Sequence, residues 1–230
     1  GEHGCDVHDP DCRNPKYRLM RRVLGPFAHS FVTVSRDLAD WLVRVVGVRP
    51  GKVTHICNGV DTQRFRPNAA ARSRLPKEVF PDGCVVVGAV TRLTAIKDPL
   101  NLVRAFVQIR RELGDKGPDV RLALIGDGPL RADVEREIKA AGCEQFAWIA
   151  GSRDDVDALL AAFDVFALGS LREGISNTVL EAMSSGVPVI ASATGGNLEL
   201  IRDRETGILV PPGDSAALAA ALSTYVTDAQ

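Results

Sequence analysis

The clearest signals of a fold class lie in residues 84–113, CVVVGAVTRLTAIKDPLNLVRAFVQIRREL. The stretch opens with a continuous apolar run, Cys84–Val90, which is typical of a strand buried on both faces. It ends in an amphipathic segment whose apolar residues recur at helical spacing. Asp98 followed by Pro99 favours a helix start there, because proline fits the first helical turn. The stretch therefore predicts a buried strand, a loop at 91–97 and a helix that covers the strand.

The same order of strand and helix continues along the rest of the chain. Strands buried on both faces and joined by crossover helices form a parallel sheet with helices on each side. We therefore predict an α/β fold with a doubly wound parallel six-stranded sheet, Rossmann-like in type. The predicted strands are Cys84–Val90, Val120–Ile125, Gln145–Ile149, Asp164–Leu168, Val187–Ala191 and Gly207–Val210.

The upstream part of the chain has a different pattern. Two strands, Phe31–Val34 and Val53–Cys57, flank a helix from about Arg36 to Val46 that Ser35 caps. Two strands and one helix cannot easily bury a core alone. We therefore expect residues 1–57 to be the remnant of an N-terminal, Rossmann-like domain. The turn-rich residues 58–82 would connect it to a C-terminal nucleotide-binding domain at 83–230.

Composition excludes several classes of protein. The formal net charge is −1, whereas nucleic-acid-binding domains usually carry a basic excess. No apolar run reaches the roughly 20 residues needed to span a bilayer, and the polar residues 1–11 do not look like a signal peptide. Five cysteines without regular spacing suit a reducing cytoplasm. His3, Cys5, His8 and Cys12 match no common zinc pattern, so we expect no metal.

A ligand of a doubly wound sheet lies where the strand order reverses, beyond the carboxyl ends of the strands. We expect the first and fourth strands to flank this crevice, with the loop at 91–97 on one side. Arg92 and Lys97 in that loop could embrace a diphosphate, although such a pair is often only solvated. The loop Gly151–Asp155 is assigned to the fourth strand, and Gly169–Ile175 to the fifth.

The stretch from Glu173 to Glu181, EGISNTVLE, is more informative. Ser176 or Asn177 can cap a helix that contains Glu181, and a helix N-terminus suits a phosphate. Gly174 lets a ligand approach the backbone closely. A carboxylate on each side of the phosphate could accept hydroxyl groups from a sugar and from a ribose. Two solvated glutamates are an equally good interpretation of the spacing alone.

Two other nucleotide-binding classes fit poorly. A dehydrogenase would carry Gly-x-Gly-x-x-Gly after its first strand. The nearest match begins at Gly126, follows the second strand and has Arg131 at the third glycine. A P-loop nucleotidase would need Gly-Lys-Ser/Thr, which does not occur.

Six motifs in register resemble retaining glycosyltransferase family 4, of the GT-B fold. Glu173 and Glu181 match its Glu-x7-Glu signature. The Ile-Ser-Asn-Thr version that follows Gly174 looks most like that of bacterial exopolysaccharide or lipopolysaccharide sugar transferases. Thr91 and Asn197-Leu198 depart from the usual Gly and apolar-Pro residues. The other matching stretches are Asn58–Asp61, Val90–Leu93 with Lys97, Ile125–Pro129, Gly195-Gly196 with Glu199, and Gly207–Pro212.

The resemblance implies a role for each matching residue. Arg92 and Lys97 would neutralise the departing diphosphate, Glu173 would bind the donor sugar, and Glu181 would bind the ribose. His3 would lie near the reacting sugar carbon. Gly151 and Asp154 would border the base, and the phosphate cradle would comprise Gly174, Ile175, Ser176, Asn177 and Thr178.

The implied activity is transfer of a sugar, with retention, from a UDP- or GDP-sugar to a polysaccharide or lipid-linked acceptor. The resemblance implies no metal or other cofactor, and front-face attack by the acceptor. Most of the N-terminal domain has no counterpart, so we expect the chain alone not to complete catalysis. A nucleotide-sugar-binding module without turnover, or a sugar-nucleotide epimerase of the same overall fold, are the alternatives.

Two expectations concern surfaces. Residues 13–24 alternate basic and apolar side chains, as do helices that bind anionic membranes at the inner face of the cell membrane. A merely solvated helix face is favoured over this interpretation. Residues 1–57 should self-associate or dock on the C-terminal domain, because strand edges and apolar faces left unpaired tend to find another chain.

Overall fold

The computed structural model describes residues 15–24 and 27–228. We call 15–24 and 27–57 the first unit, 58–82 the linking segment and 83–228 the second unit. The first unit contains α1 Pro15–Leu24, β1 Phe31–Thr33, α2 Arg36–Trp41 and β2 Val53–His55. The second unit contains β3 Val85–Val90, α3 Pro99–Leu113, β4 Val120–Ile125, α4 Arg131–Ala140, β5 Ala147–Gly151, α5 Val156–Leu160, β6 Val165–Leu168, α6 Asn177–Ser184, β7 Val189–Ser192, α7 Asn197–Leu200, β8 Ile208–Val210 and α8 Ser215–Asp228.

The second unit is built on one parallel sheet with the strand order β5-β4-β3-β6-β7-β8. The chain runs outward from β3 to β5, then returns to β6 on the other side of β3 and continues outward to β8. The strand order therefore reverses between β3 and β6. This confirms the predicted doubly wound six-stranded sheet, with the first and fourth strands flanking the reversal.

Helices cover both faces of this sheet. On one face, α3 and α8 bury Phe106, Leu102 and Leu222 against the strands. On the other face, α5 and α6 bury Leu159 and Val179. Two apolar layers of this kind hold the strands in register and so fix the positions of the loops at the carboxyl edge. No helix in the described ranges is long and apolar enough to cross a membrane.

The linking segment contributes to the second of these layers. Phe65 and Phe80 are buried in the same cluster as α5 and α6. The guanidinium of Arg72 donates to the Asp164 carboxylate (2.7 Å) and to the carbonyl of Cys84 (2.6 Å). The segment is therefore packed on the second unit, although its only regular structure is a short 3-10 helix, Ala71–Arg74.

The first unit has a small core of its own. β1 and β2 pair in parallel, and Leu42, Val46 and Val48 form a buried cluster against them. Helix α2 continues as a π-helical turn to Val46, and the Ser35 hydroxyl accepts the Leu38 N–H (3.2 Å). The predicted helix from about Arg36 to Val46 and its serine cap are confirmed.

Candidate functional site

The loops after β3 and β6 meet at the carboxyl edge of the sheet, where the strand order reverses. Ligands of doubly wound sheets bind at this position. The two loops are joined directly, because the N–H of Leu171 donates to the carbonyl of Ile96 (2.9 Å). Groups carried by the two loops therefore lie side by side along the crevice.

The structure pairs two of the predicted site residues. The ammonium of Lys97, on the loop after β3, lies 2.6 Å from the carboxylate of Glu173, on the loop after β6. The Glu173 side chain is only 5% exposed, and the buried hydroxyl of Ser170 donates to the same oxygen (2.6 Å). Ser170 was missed by sequence reasoning, since a single serine in a loop gives no periodic or motif signal.

Backbone strain marks the end of the loop that carries Lys97. Asp98 adopts φ +43° and caps α3 by accepting the Asn101 N–H (3.4 Å). A non-glycine residue in the left-handed region is costly and is often found at functional sites. Burial raises the pKa of the Asp98 carboxyl, with smaller opposing effects from the Asn101 N–H and Arg104.

Helix α6 begins directly after the Glu173 loop. Of the two predicted caps, the structure selects Ser176, whose hydroxyl accepts the Val179 N–H (3.4 Å). The Asn177 amide oxygen instead accepts a hydrogen bond from Asn58 in the linking segment (2.8 Å). The first N–H groups of an α-helix have no acceptor within the helix, so the backbone from Gly174 to Thr178 presents donors suited to an anion.

Glu181 lies one turn further along α6. Its carboxylate is partly buried and accepts no hydrogen bond from any residue in the described ranges. Burial raises the pKa of Glu181, and the charge of Arg64 partly opposes this shift. A partly desolvated carboxylate without a protein donor can accept hydrogen bonds from a ligand. The predicted arrangement of Glu173 before the helix and Glu181 within it is confirmed.

Arg92 is the other predicted cation. Its side chain is exposed and forms no hydrogen bond or ion pair with the part of the chain that is described. It therefore differs from Lys97, whose charge is already compensated by Glu173. A free guanidinium in this loop is available to a phosphate without first breaking an internal contact.

The predicted position of Gly151 and Asp154 needs a correction. Their loop follows β5, the third strand of the unit and the edge strand of the sheet, whereas the fourth strand, β6, leads into Gly169. The loop therefore lies two strands away from β3. Arg64 of the linking segment contacts this loop and the start of α5, because its guanidinium donates to the Asp154 carbonyl (3.4 Å) and to the Asp157 carboxylate (3.1 Å). Sequence reasoning missed Arg64 because it lies in the linking segment.

The Gly195-Gly196 turn packs against the backbone of the Glu173 loop. The Gly196 N–H donates to the Gly174 carbonyl (2.8 Å). A Cβ at Gly195 would lie 1.8 Å from the Glu173 carbonyl oxygen, so only glycine allows this approach. His3, the remaining predicted site residue, and the His3–Cys12 cluster lie outside the described residues.

Fold and site together define a class: the C-terminal, Rossmann-like part of a GT-B protein, in which helix α6 begins beside the strand-order reversal. The glycosyl transferases group 1 family model matches residues 84–228, and the Glycosyltransferase Family 4 model matches residues 2–64. The chain belongs to the group 1 glycosyltransferases.

Among curated proteins, the chain is 33% identical to the GDP-mannose-dependent alpha-(1-6)-phosphatidylinositol monomannoside mannosyltransferase of Mycolicibacterium smegmatis, over 93% of this chain and 57% of that protein. It is 29% identical to the 2-deoxystreptamine glucosyltransferase of Streptomyces kanamyceticus, over 91% of this chain and 53% of that protein. The chain thus spans about half the length of the curated relatives it matches.

Solved structures agree with this assignment. Anabaena HepE, in complex with UDP and glucose, superposes with a TM-score of 0.85 at 26% identity, over 98% of this chain and 61% of HepE. Sucrose-phosphate synthase from Thermosynechococcus elongatus superposes with a TM-score of 0.80 at 27% identity, over 97% of this chain and 55% of that chain.

Proposed function

We propose that this chain is the donor-binding part of an enzyme that transfers a sugar, with retention, from a UDP- or GDP-sugar to a polysaccharide or lipid-linked acceptor. Its family and two named relatives support this proposal. The mycolicibacterial relative is described as GDP-mannose-dependent, and HepE was solved with UDP and glucose. No cofactor is part of the proposal.

The observation that carries the proposal is the carboxylate of Glu181. It is partly buried, has no hydrogen-bond donor among the described residues and lies on the helix that begins at the crevice. A partly buried carboxylate is hydrated only in part, and a ligand that donates hydroxyl groups to it supplies the hydrogen bonds that the protein does not. A ribose supplies two such groups side by side, and the diphosphate would then reach the start of α6.

The remaining groups supply charge and orientation. As the bond to the sugar breaks, negative charge accumulates on the departing diphosphate, and donors already fixed in place stabilise that charge. We assign this role to Arg92, Lys97 and the backbone from Gly174 to Thr178. Glu173, held by Lys97 and Ser170, would accept donor-sugar hydroxyls. Gly151 and Asp154 would border the base, and His3 would lie near the reacting carbon.

Retention is assigned to front-face attack. The acceptor hydroxyl would approach the anomeric carbon on the side from which the diphosphate departs, and the diphosphate would take up the hydroxyl proton. Contacts with the acceptor are expected mainly outside the second unit. We place the reaction in the cytoplasm, at the inner face of the cell membrane where the acceptor is lipid-linked.

The test is product analysis with the protein expressed from its complete gene. UDP- and GDP-sugars are offered with saccharide and lipid-linked acceptors, and the anomeric configuration of any product is determined by NMR. A retained configuration is expected. Nucleotide-sugar binding without product would indicate a binding module, and a changed sugar on the recovered nucleotide would indicate an epimerase. Either result contradicts the proposal.

A further inference from the structure

The carboxylate of Glu199, in the second unit, caps a helix of the first unit. One of its oxygens accepts the N–H of Arg36 (2.8 Å) and the N–H of Asp37 (3.3 Å). Ser35 caps the next N–H of the same helix, that of Leu38 (3.2 Å). Helix caps are usually supplied locally by the residue that precedes the helix. Here two of the donors at the start of α2 are instead satisfied across the boundary between the units.

Glu199 is closely tied to the candidate donor loop. It lies on α7, which begins immediately after the Gly195-Gly196 turn. That turn is hydrogen-bonded to the Gly174 carbonyl (2.8 Å) and leaves no room for a Cβ beside the Glu173 carbonyl. The buried side chain of Asn197 donates to the Ser192 carbonyl (3.0 Å) and fixes the start of α7. A displacement of the Glu173–Gly174 backbone therefore reaches the Glu199 carboxylate through a tightly packed turn.

A second contact joins the linking segment to the start of α6. The Asn58 amide donates to Asn177 (2.8 Å), the first residue of α6. Between the two contacts lies a cleft of about 360 Å³, lined by Arg36, His55, Ile175 and Leu198 among others. The ring of His55 approaches the second Glu199 oxygen (4.0 Å). The candidate phosphate cradle is thus connected to the first unit through Glu199 and to the linking segment through Asn58.

We propose that Glu199 is a positioning residue that couples nucleotide binding at the Glu173–Gly174 loop to the first unit. The coupling rests on the proposed function, since it requires a nucleotide at that loop. A nucleotide that orders the loop would order α7, and the Glu199 carboxylate would then hold the start of α2 more firmly. Glu199 itself lies outside the proposed contacts to the nucleotide, so its removal should break the coupling and leave binding nearly intact.

The test compares wild type with Glu199→Ala and Glu199→Gln, using UDP and GDP as probes. Calorimetry should give affinities within about twofold of wild type for both variants, because no proposed nucleotide contact is lost. Amide hydrogen exchange is then followed at residues 36–41 with and without nucleotide. In wild type, nucleotide should slow this exchange at least threefold. The slowing should vanish in Glu199→Ala and return in part in Glu199→Gln, which keeps an acceptor oxygen.

Glu205→Ala is the matched control, because Glu205 is an exposed carboxylate of the same unit whose ion pair is with Arg202. This variant should behave as wild type. Equal slowing at residues 36–41 in wild type and Glu199→Ala, with nucleotide bound to both, would overturn the coupling and leave the proposed function standing. Failure of wild type to bind either nucleotide would overturn both proposals.

Discussion

Lys97 and Glu173 compensate each other across two loops, and their pairing sets the electrostatics of the crevice. Removing one partner of a buried pair leaves an uncompensated charge, which costs on the order of 3 kcal/mol. Lys97 is 19% exposed and Glu173 only 5%, so loss of the lysine leaves the more buried charge alone. A diphosphate that reaches Lys97 has to share its ammonium with Glu173.

We predict that Arg92→Ala and Lys97→Ala each weaken UDP or GDP binding roughly tenfold, the scale of one lost hydrogen bond to a charged group. Calorimetry measures the affinities. Only Lys97→Ala should also lower the free energy of unfolding, since Arg92 has no ion pair within the described residues. The double variant Lys97→Met/Glu173→Gln should recover stability but not affinity. Arg111→Ala is the control, because Arg111 is an exposed cation in the last turn of α3. Wild-type affinity in both Arg92→Ala and Lys97→Ala would remove these two residues from the site.

Glu181→Gln should weaken UDP or GDP binding about tenfold, by loss of charge-assisted hydrogen bonds to the ribose. The same variant should keep or raise the stability of the fold. Burial raises the pKa of Glu181 in the fold, so its contribution to stability is present below the ordinary glutamate pKa and is lost as pH rises through the raised value. Glutamine removes that loss, so thermal unfolding at neutral pH should occur at an equal or higher temperature. Lower stability together with unchanged affinity would contradict the assignment.

Glu173→Gln is expected to distinguish the role of the Glu173 carboxylate from that of the Glu181 carboxylate. It should spare UDP or GDP and weaken the corresponding nucleotide sugar, because Glu173 is assigned to the sugar and Glu181 to the ribose. Calorimetry with both ligands on both variants measures the difference. Equal losses for both ligands in both variants would remove the division of roles.

The Gly195-Gly196 turn is an element of the site that is sterically constrained by its close approach to the Glu173–Gly174 backbone. Gly195→Ala would place a Cβ 1.8 Å from the Glu173 carbonyl at φ +51°, so we expect a loss of about 1–3 kcal/mol and much weaker nucleotide binding. Gly142→Ala is the matched control, because Gly142 has φ +66° with open space around it. It should lose stability from backbone strain alone and keep its affinity. Chemical denaturation and calorimetry measure the two effects.

Most strands and helices could be predicted because their signals are local. β4 has the predicted bounds Val120–Ile125, and α3 begins at the predicted Asp98-Pro99. β5 begins two residues later than predicted, since residues 144–146 form a 3-10 turn. The Lys97–Glu173 pair could not be predicted in the same way. It joins loops 76 positions apart, and it depends on the strand order that brings β3 and β6 together.

Helix α1 exposes apolar side chains next to basic ones. Leu19 and Val23, one turn apart, are 62% and 58% exposed, and Arg21 and Arg22 lie in its last turn. If α1 docks on a membrane, Leu19→Ser/Val23→Ser in the complete protein should lower co-sedimentation with anionic vesicles several-fold at low salt. Leu198→Ser, at a residue that is 57% exposed on α7, should change nothing. If wild type does not co-sediment with the vesicles at low or physiological salt, α1 does not dock on membranes and its exposed face is only solvated.

The two units of the molecule differ in the size of their buried apolar cores. The second unit has large apolar clusters on both faces of its sheet, whereas the buried cluster of the first unit consists of Leu42, Val46 and Val48. A two-stranded sheet is marginal without further packing. Two hydrogen bonds in the described ranges link the first unit to the second unit, and Glu199 accepts both of them. The first unit therefore depends on contacts beyond its own core.

We predict that a second copy of the chain supplies one such contact, so that the 230-residue chain self-associates through the first unit. α2 covers one face of the β1–β2 sheet, while Val32 on the other face is 38% exposed and Ile56, just beyond β2, is 56% exposed. Open strand edges beside apolar side chains favour pairing between chains, and a lysine on such an edge opposes it. Light scattering should therefore give a mass above that of a monomer for wild type at micromolar concentration, and a smaller mass for Val32→Lys. Thr54→Lys, at the residue paired with Val32 in the neighbouring strand, should act in the same direction, whereas Lys77→Glu, at an exposed position of the linking segment, should leave the mass unchanged. A monomeric wild type would show that the contact with the second unit through Glu199 is enough to keep the first unit folded and its open face solvated.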